Sequence, residues 1–154
     1  MGNGDSGRLG KFYEEQVAEV TKLLEKYVKS SSQIDLDKYL KLCEQLGQEP
    51  DPAKMPLSLS DFPEEVQVAF FVFSFLPDYW EGMSGTYMGK HWSGVDYIFE
   101  LYEIENPKIV LYFMKLYENV LVNHRSEEAD RKRKAEERKS KSGGGKNYTH
   151  NVKG

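Results

Sequence analysis

The chain reads as an all-α domain: about five helices around a buried central helix, with a charged C-terminal helical extension and flexible ends. Three observations predict this. Apolar residues recur at steps of three and four through most of the 154 residues, the spacing of one helix face. Helix-start signals precede the longest of these runs, Asp61 with Glu64 and Asn106-Pro107, as a capping pair and as a cap followed by a first-turn proline. The run from Val66 to Leu76 contains only Gln67 and Ser74 as polar residues, and a helix apolar on all sides must be buried on all sides.

Residues 1–10 contain four glycines and predict a flexible arm. From Lys11 to Lys29, Phe12, Val17, Val20, Leu23, Leu24, Tyr27 and Val28 mark the inner face of a first helix, which Ser30-Ser31-Ser32 ends. Asp35 or Ser32 caps a second helix running to about Leu46. Leu36, Tyr39, Leu40, Cys43 and Leu46 form its stripe, and Gly47 closes it ahead of Pro50 and Pro52. Residues 47–60 form a connector in which Met55, Leu57 and Leu59 alternate, a pattern compatible with a short extended segment. The 66–76 run is the third, central helix. A buried strand is the competing reading for it, and length with the capping signal favours helix.

Residues 77–92 hold Gly82, Gly85 and Gly89, which break any regular element, among Tyr79, Trp80, Met83, Tyr87, Met88 and Trp92. Ser93, with Asp96 three residues on, caps a fourth helix whose inner face is Val95, Ile98, Phe99 and Tyr102. Asn106-Pro107 starts a fifth, striped by Ile109, Val110, Phe113, Leu116, Tyr117, Val120 and Leu121. Beyond Val122 the stripe stops, but the opposite charges Glu127–Arg131, Glu128–Lys132, Asp130–Lys134 and Arg133–Glu137 stand four residues apart. Each such pair is worth roughly 0.3 kcal/mol in an isolated helix, so a charged rod is expected to about Ser140. The organisation is therefore an arm (1–10), a helical domain (11–124), a charged helical extension (125–142) and a disordered tail (143–154).

The formal net charge of -4 conceals a split. Residues 125–154 carry ten Lys/Arg against five Asp/Glu, a local +5, which leaves residues 1–124 at −9. An acidic body with a basic tail suits an acidic partner, either an acidic protein surface or nucleic acid. The alternative is a solvated helix end that pairs its own charges. One cysteine allows no internal disulfide and points to a reducing compartment. With no signal-like opening and no long apolar run, a cytoplasmic location without membrane contact is expected.

Little catalytic chemistry is on offer, and no enzyme, cofactor or metal is expected. Residues 84–91 superficially approach a phosphate-binding loop, but Ser84 replaces its first glycine, His91 its hydroxyl residue, and a helix precedes it. His91, His124 and His150 are scattered without metal-ligand spacing. His91 as an acid–base residue lacks a complete constellation around it. Cys43 lies on an apolar helix face as a small hydrophobe. Asp96, Glu100, Glu103 and Glu105 read as a solvated acidic face. Asn147–Thr149 matches a glycosylation sequon without a secretion signal beside it.

The partner-binding candidates are therefore Tyr79, Trp80, Tyr87, Met88 and Trp92, since Tyr, Trp and Met are enriched at protein interfaces, with Arg131, Lys132, Arg133, Lys134 and Arg138. The alternative for the two tryptophans is closure of the core. Tyr87 and Met88, flanked by glycines, are expected to be exposed. Residues 61–71 and 76–90, DFPEEVQVAFF and LPDYWEGMSGTYMGK, resemble small uncharacterised proteins of T4-like tailed phages, over residues 61–105 and the basic tail. The resemblance implies a host-cytoplasmic role in virion assembly, as a scaffold or tail-assembly chaperone, and carries over no functional residue. The expected function is a non-enzymatic interaction protein assisting assembly, with nucleic-acid binding through the basic helix as the alternative.

Overall fold

The computed structural model describes residues 5–31 and 34–143. In chain order they form α1 (Asp5–Ser31), α2 (Leu36–Leu46), a 3-10 turn (Leu59–Asp61), α3 (Glu64–Phe75), β1 (Asp78–Trp80), β2 (Tyr87–Lys90), α4 (Val95–Leu101) and α5 (Pro107–Gly143). The molecule is mainly helical, with one two-stranded antiparallel sheet. That sheet corrects the reading of 77–92 as irregular. α1 takes in residues 5–10, which were expected in the arm. Residues 1–4 and the tail beyond 143, including the sequon and His150, lie outside the described residues.

Local chemistry accounts for the helix boundaries. Asp35 caps α2, accepting from the Lys38 amide at 2.9 Å, while the other candidate, Ser32, lies outside the described residues. Gly47 closes α2 at φ 62°, its amide bonded to the Cys43 and Glu44 carbonyls. The capping box lies three residues earlier than Asp61–Glu64: the Ser58 amide donates to Asp61 Oδ2 at 2.7 Å and initiates the 3-10 turn. Pro63 then opens α3, and the Gln67 side chain donates to the Phe62 carbonyl at 2.8 Å. α4 starts from Gly94 at φ 81°, not from a Ser93 side-chain cap. The Asn106 carbonyl accepts from the Ile109 and Val110 amides, so α5 starts where the Asn-Pro signal placed it. No strand forms in the 47–60 connector.

Two core clusters share two helices, α3 and α5. The first joins Ala69, Val72, Phe73 and Leu76 to Val110 and Met114, with Val95, Ile98 and Phe99 of α4 against it. The second joins Val20 and Leu24 of α1 to Phe62 and Val66. Phe113 and Tyr117 of α5 pack into both, and α5 contacts α1, α3 and β2. α5 is thus the common wall of the core. α3 buries Val66, Ala69, Val72 and Phe73 but leaves Phe71 and Phe75 45% and 46% exposed. It is not enclosed on every side: α1, α4 and α5 pack against it and leave the Phe71–Phe75 face open. α2 is peripheral, burying only Cys43 while Leu40, Leu42 and Leu46 stay exposed. The Tyr39 hydroxyl accepts from the Asp51 amide at 3.1 Å and ties the connector to α2.

Beyond residue 128 every described side chain on α5 is exposed. The four i,i+4 ion pairs do not form. Instead Arg133 pairs with Asp130 at 3.1 Å, and His124 lies 3.6 Å from Glu128. Long exposed side chains gain too little from pairing in water to hold one geometry.

Candidate functional site

The hairpin is held against α5 by a partly buried acid. Glu118, only 13% exposed in its side chain, accepts through Oε2 from the Lys90 amide and from the Trp92 indole N–H, both at 2.8 Å. Its Oε1 lies 3.4 Å from Lys115 Nζ, which sits 3.7 Å from the centre of the Trp92 ring. Gly89 makes this approach possible. A β-carbon there would stand 2.7 Å from Glu118 Oε2, and its φ of 106° disfavours any side chain.

The strands pair Asp78 with Lys90, Tyr79 with Gly89 and Trp80 with Tyr87, so Met88 is the unopposed residue of a bulge. The bulge turns Tyr87 inward and leaves Met88 outward. Tyr87 is 4% exposed, which overturns the expectation that it is a surface residue. Its hydroxyl donates to Asp78 Oδ1 at 3.2 Å, and Lys90 Nζ reaches the same oxygen at 2.9 Å. Burial, then the Asp78 charge, push the Tyr87 hydroxyl up to about 12, against a smaller opposing pull from Arg125. For Asp78 partial burial acts upward, but the hydrogen bond and charge of Lys90 outweigh it and hold the carboxyl below its ordinary range. The tip is ordered by Glu81, whose carboxylate accepts from the Met83 amide and from the Ser84 amide and hydroxyl. Those Ser84 bonds hold Glu81 below the usual carboxylate range.

On the open side, Arg125 of α5 lies over two rings, 4.0 Å from the centre of Tyr87 and 5.4 Å from that of Trp80. Between the hairpin tip and the next turns of α5 is a cleft of about 530 Å³, lined by Trp80, Ser84, Tyr87, Arg125, Lys132 and Arg133, with Glu128 and Asp130 on its helical wall. It combines a half-exposed indole, hydroxyl groups and three cations against two carboxylates, one of which, Asp130, pairs with Arg133. That mixture suits a carboxylate- or phosphate-bearing ligand with an apolar component.

The fold therefore unites four of the ten candidate residues, Trp80, Tyr87, Lys132 and Arg133. Tyr79 lies outside the cleft, tilted at 50° against the exposed His91 with ring centres 4.7 Å apart. Met88 is exposed outside the cleft. Trp92 packs against the core around Phe73. Arg131, Lys134 and Arg138 stand on the exposed rod. Glu118 was not among the candidates, and Arg125 entered only with the basic residues offered to phosphates in the nucleic-acid alternative. Its inward position follows from extending the inner stripe in steps of four, Tyr117 to Leu121 to Arg125.

Among the described residues no group of three His, Cys, Asp or Glu side chains is placed to hold a metal ion. None of their helices is long and apolar enough to cross a membrane. The chain matches no known family, no curated protein and no solved structure.

Proposed function

We propose that this is a non-enzymatic interaction protein that assists macromolecular assembly by capturing an acidic protein surface. The hairpin cleft and the basic end of α5, residues 125–142, form one charged extension for that purpose. The observation that carries the reading is the placement of Arg125, Lys132 and Arg133 beside the half-exposed Trp80 in a single cleft, on a chain whose residues 1–124 are strongly acidic. The three cations outnumber Glu128 and Asp130 on the same wall, and a net positive charge beside an aromatic anchor speeds encounter and fixes orientation, while the ring supplies desolvated contact. Following the resemblance to T4-like phage proteins, the setting would be virion assembly in the host cytoplasm. Reversing Lys132→Glu and Arg133→Glu should weaken capture of a fluorescent Glu-rich peptide at least about tenfold with the fold intact. Unchanged anisotropy titrations would sink the reading.

Nucleic-acid binding is the second reading, favoured by the open Trp80 face beside Arg125, since bases stack on such rings while cations track phosphates. The acidic body opposes it. A gel shift at low salt with single-stranded oligonucleotides decides between the two.

A further inference from the structure

One apolar surface remains outside this cleft. Phe71 and Phe75, one turn apart on α3, meet Tyr102 just after α4 with ring centres 5.0, 5.1 and 5.3 Å apart. All three rings are nearly half exposed, so they are ordered by one another and not by burial. Leu101 and Tyr97 of the same segment are also exposed. The surrounding chain is acidic without relief: Asp96, Glu100, Glu103 and Glu105 are all exposed, and no Lys or Arg occurs between Lys90 and Lys108. An aromatic patch with an acidic border fits a cationic ridge, whose ammonium and guanidinium groups can rest on ring faces while facing carboxylates.

The same chain carries such a ridge. Arg131, Lys134, Arg138 and Lys141 follow one another at steps of three, four and three, so they share one face of α5. All four are exposed, and none has an ion-pair partner among the described residues. The ridge cannot fold back onto its own patch. α5 is one helix, and Val110, which packs in the same cluster as Ile98 and Phe99 of α4, lies about 36 Å along it from Lys134 at 1.5 Å per residue.

We infer that the acidic partner is a second copy of this chain. The Arg131–Lys134–Arg138–Lys141 ridge of one copy lies across the Phe71–Phe75–Tyr102 patch of the next. The inference rests on the proposed function of the basic extension and assigns a second copy to the face of α5 that does not line the cleft. Because donor and acceptor surfaces differ, two copies either exchange both contacts across a two-fold axis or pass a single contact on, head-to-tail, into chains or rings. Each contact is exposed and weak on its own, so the association belongs to low salt and high local concentration.

Charge exchange tests it with substitutions confined to exposed side chains of the full chain. At about 50 mM salt, sedimentation velocity should show a mass that rises with protein concentration, and at about 500 mM salt a monomer. Reversing the ridge (Lys134→Glu, Arg138→Glu) or the border (Glu100→Lys, Glu103→Lys) should each weaken self-association at least about tenfold. Combining all four reversals in one chain should restore it. A wild-type chain that stays monomeric at low salt, or a four-fold variant that stays monomeric where the wild type associates, overturns the inference. A Glu-rich peptide titrated in parallel separates the two proposals. Peptide binding by a monomeric chain removes only the self-association, and absence of both removes the basic extension's role as well.

Discussion

Glu118 links two elements through a single carboxylate, and its neighbours show what it costs to disturb. Glu118→Ala would leave the Lys90 amide and the Trp92 indole N–H without their acceptor, a loss of about 2 kcal/mol in urea unfolding. Gly89→Ala should destabilise by a similar amount, about 1–3 kcal/mol, since the added carbon meets Glu118 Oε2 and φ is 106°. The double variant should cost less than the sum, because removing the carboxylate removes the clash; strict additivity would show that Gly89 acts through φ alone. Tyr87 and Tyr117 make a second prediction. Burial raises both hydroxyls to about 12, above the ordinary value of about 10. A raised folded-state value contributes stability that is complete below about pH 10 and is lost as pH rises through about 12. The chain should therefore unfold in that alkaline window, and ultraviolet titration of tyrosinate should show Tyr87→Phe and Tyr117→Phe each deleting a late-ionising component.

At the level of elements, much of the fold is legible because burial on one side writes a period of 3.6 into the sequence. Val20, Leu24 and Val28 of α1 and Val110, Phe113 and Tyr117 of α5 were identifiable as inner-face residues for that reason, and Asp35, Gly47 and Asn106-Pro107 announced helix ends by their own hydrogen-bonding and backbone preferences. The hairpin was hidden. Its strands are three and four residues long, a bulge interrupts their alternation, and Gly89 reads as a breaker although Glu118 requires a glycine there. α3 misled in the other direction. Its uniform apolar run implied complete enclosure, whereas Phe71 and Phe75 cover each other and Tyr102 at the surface. The cleft was half legible: residue types marked Trp80, Lys132 and Arg133, but only tertiary pairing brings them together. The exposed end of α5 gives an element-scale prediction. Residues 131–142 bury nothing, so a chain ending at Asp130 should keep its melting temperature while helical ellipticity at 222 nm falls. A shorter chain ending before Arg125 should melt earlier, because it uncovers Tyr87 and Trp80. Equal melting temperatures for the two truncations would remove the structural role given to Arg125.

Over the whole molecule the governing feature is charge segregation, with a local −9 over residues 1–124 and +5 over residues 125–154. α5 spans both halves, so the same helix that walls the core also carries the cations outward. Such a charge distribution would orient an acidic ligand on approach, and that advantage decays once salt shortens the screening distance to about 10 Å or less. The cleft predicts that affinity divides into two parts with different salt responses. Lys132→Gln with Arg133→Gln should lower affinity for a Glu-rich peptide and also flatten the plot of log Kd against log salt, since fewer ions are exchanged on binding. Trp80→Ala should lower affinity about tenfold with the slope unchanged, because the indole contributes contact area and no charge. Titrations from about 50 to 500 mM salt separate these effects. If the Trp80 variant matched the wild type at every salt concentration, the cleft would reduce to a charged helix face, and the hairpin would have no share in recognition.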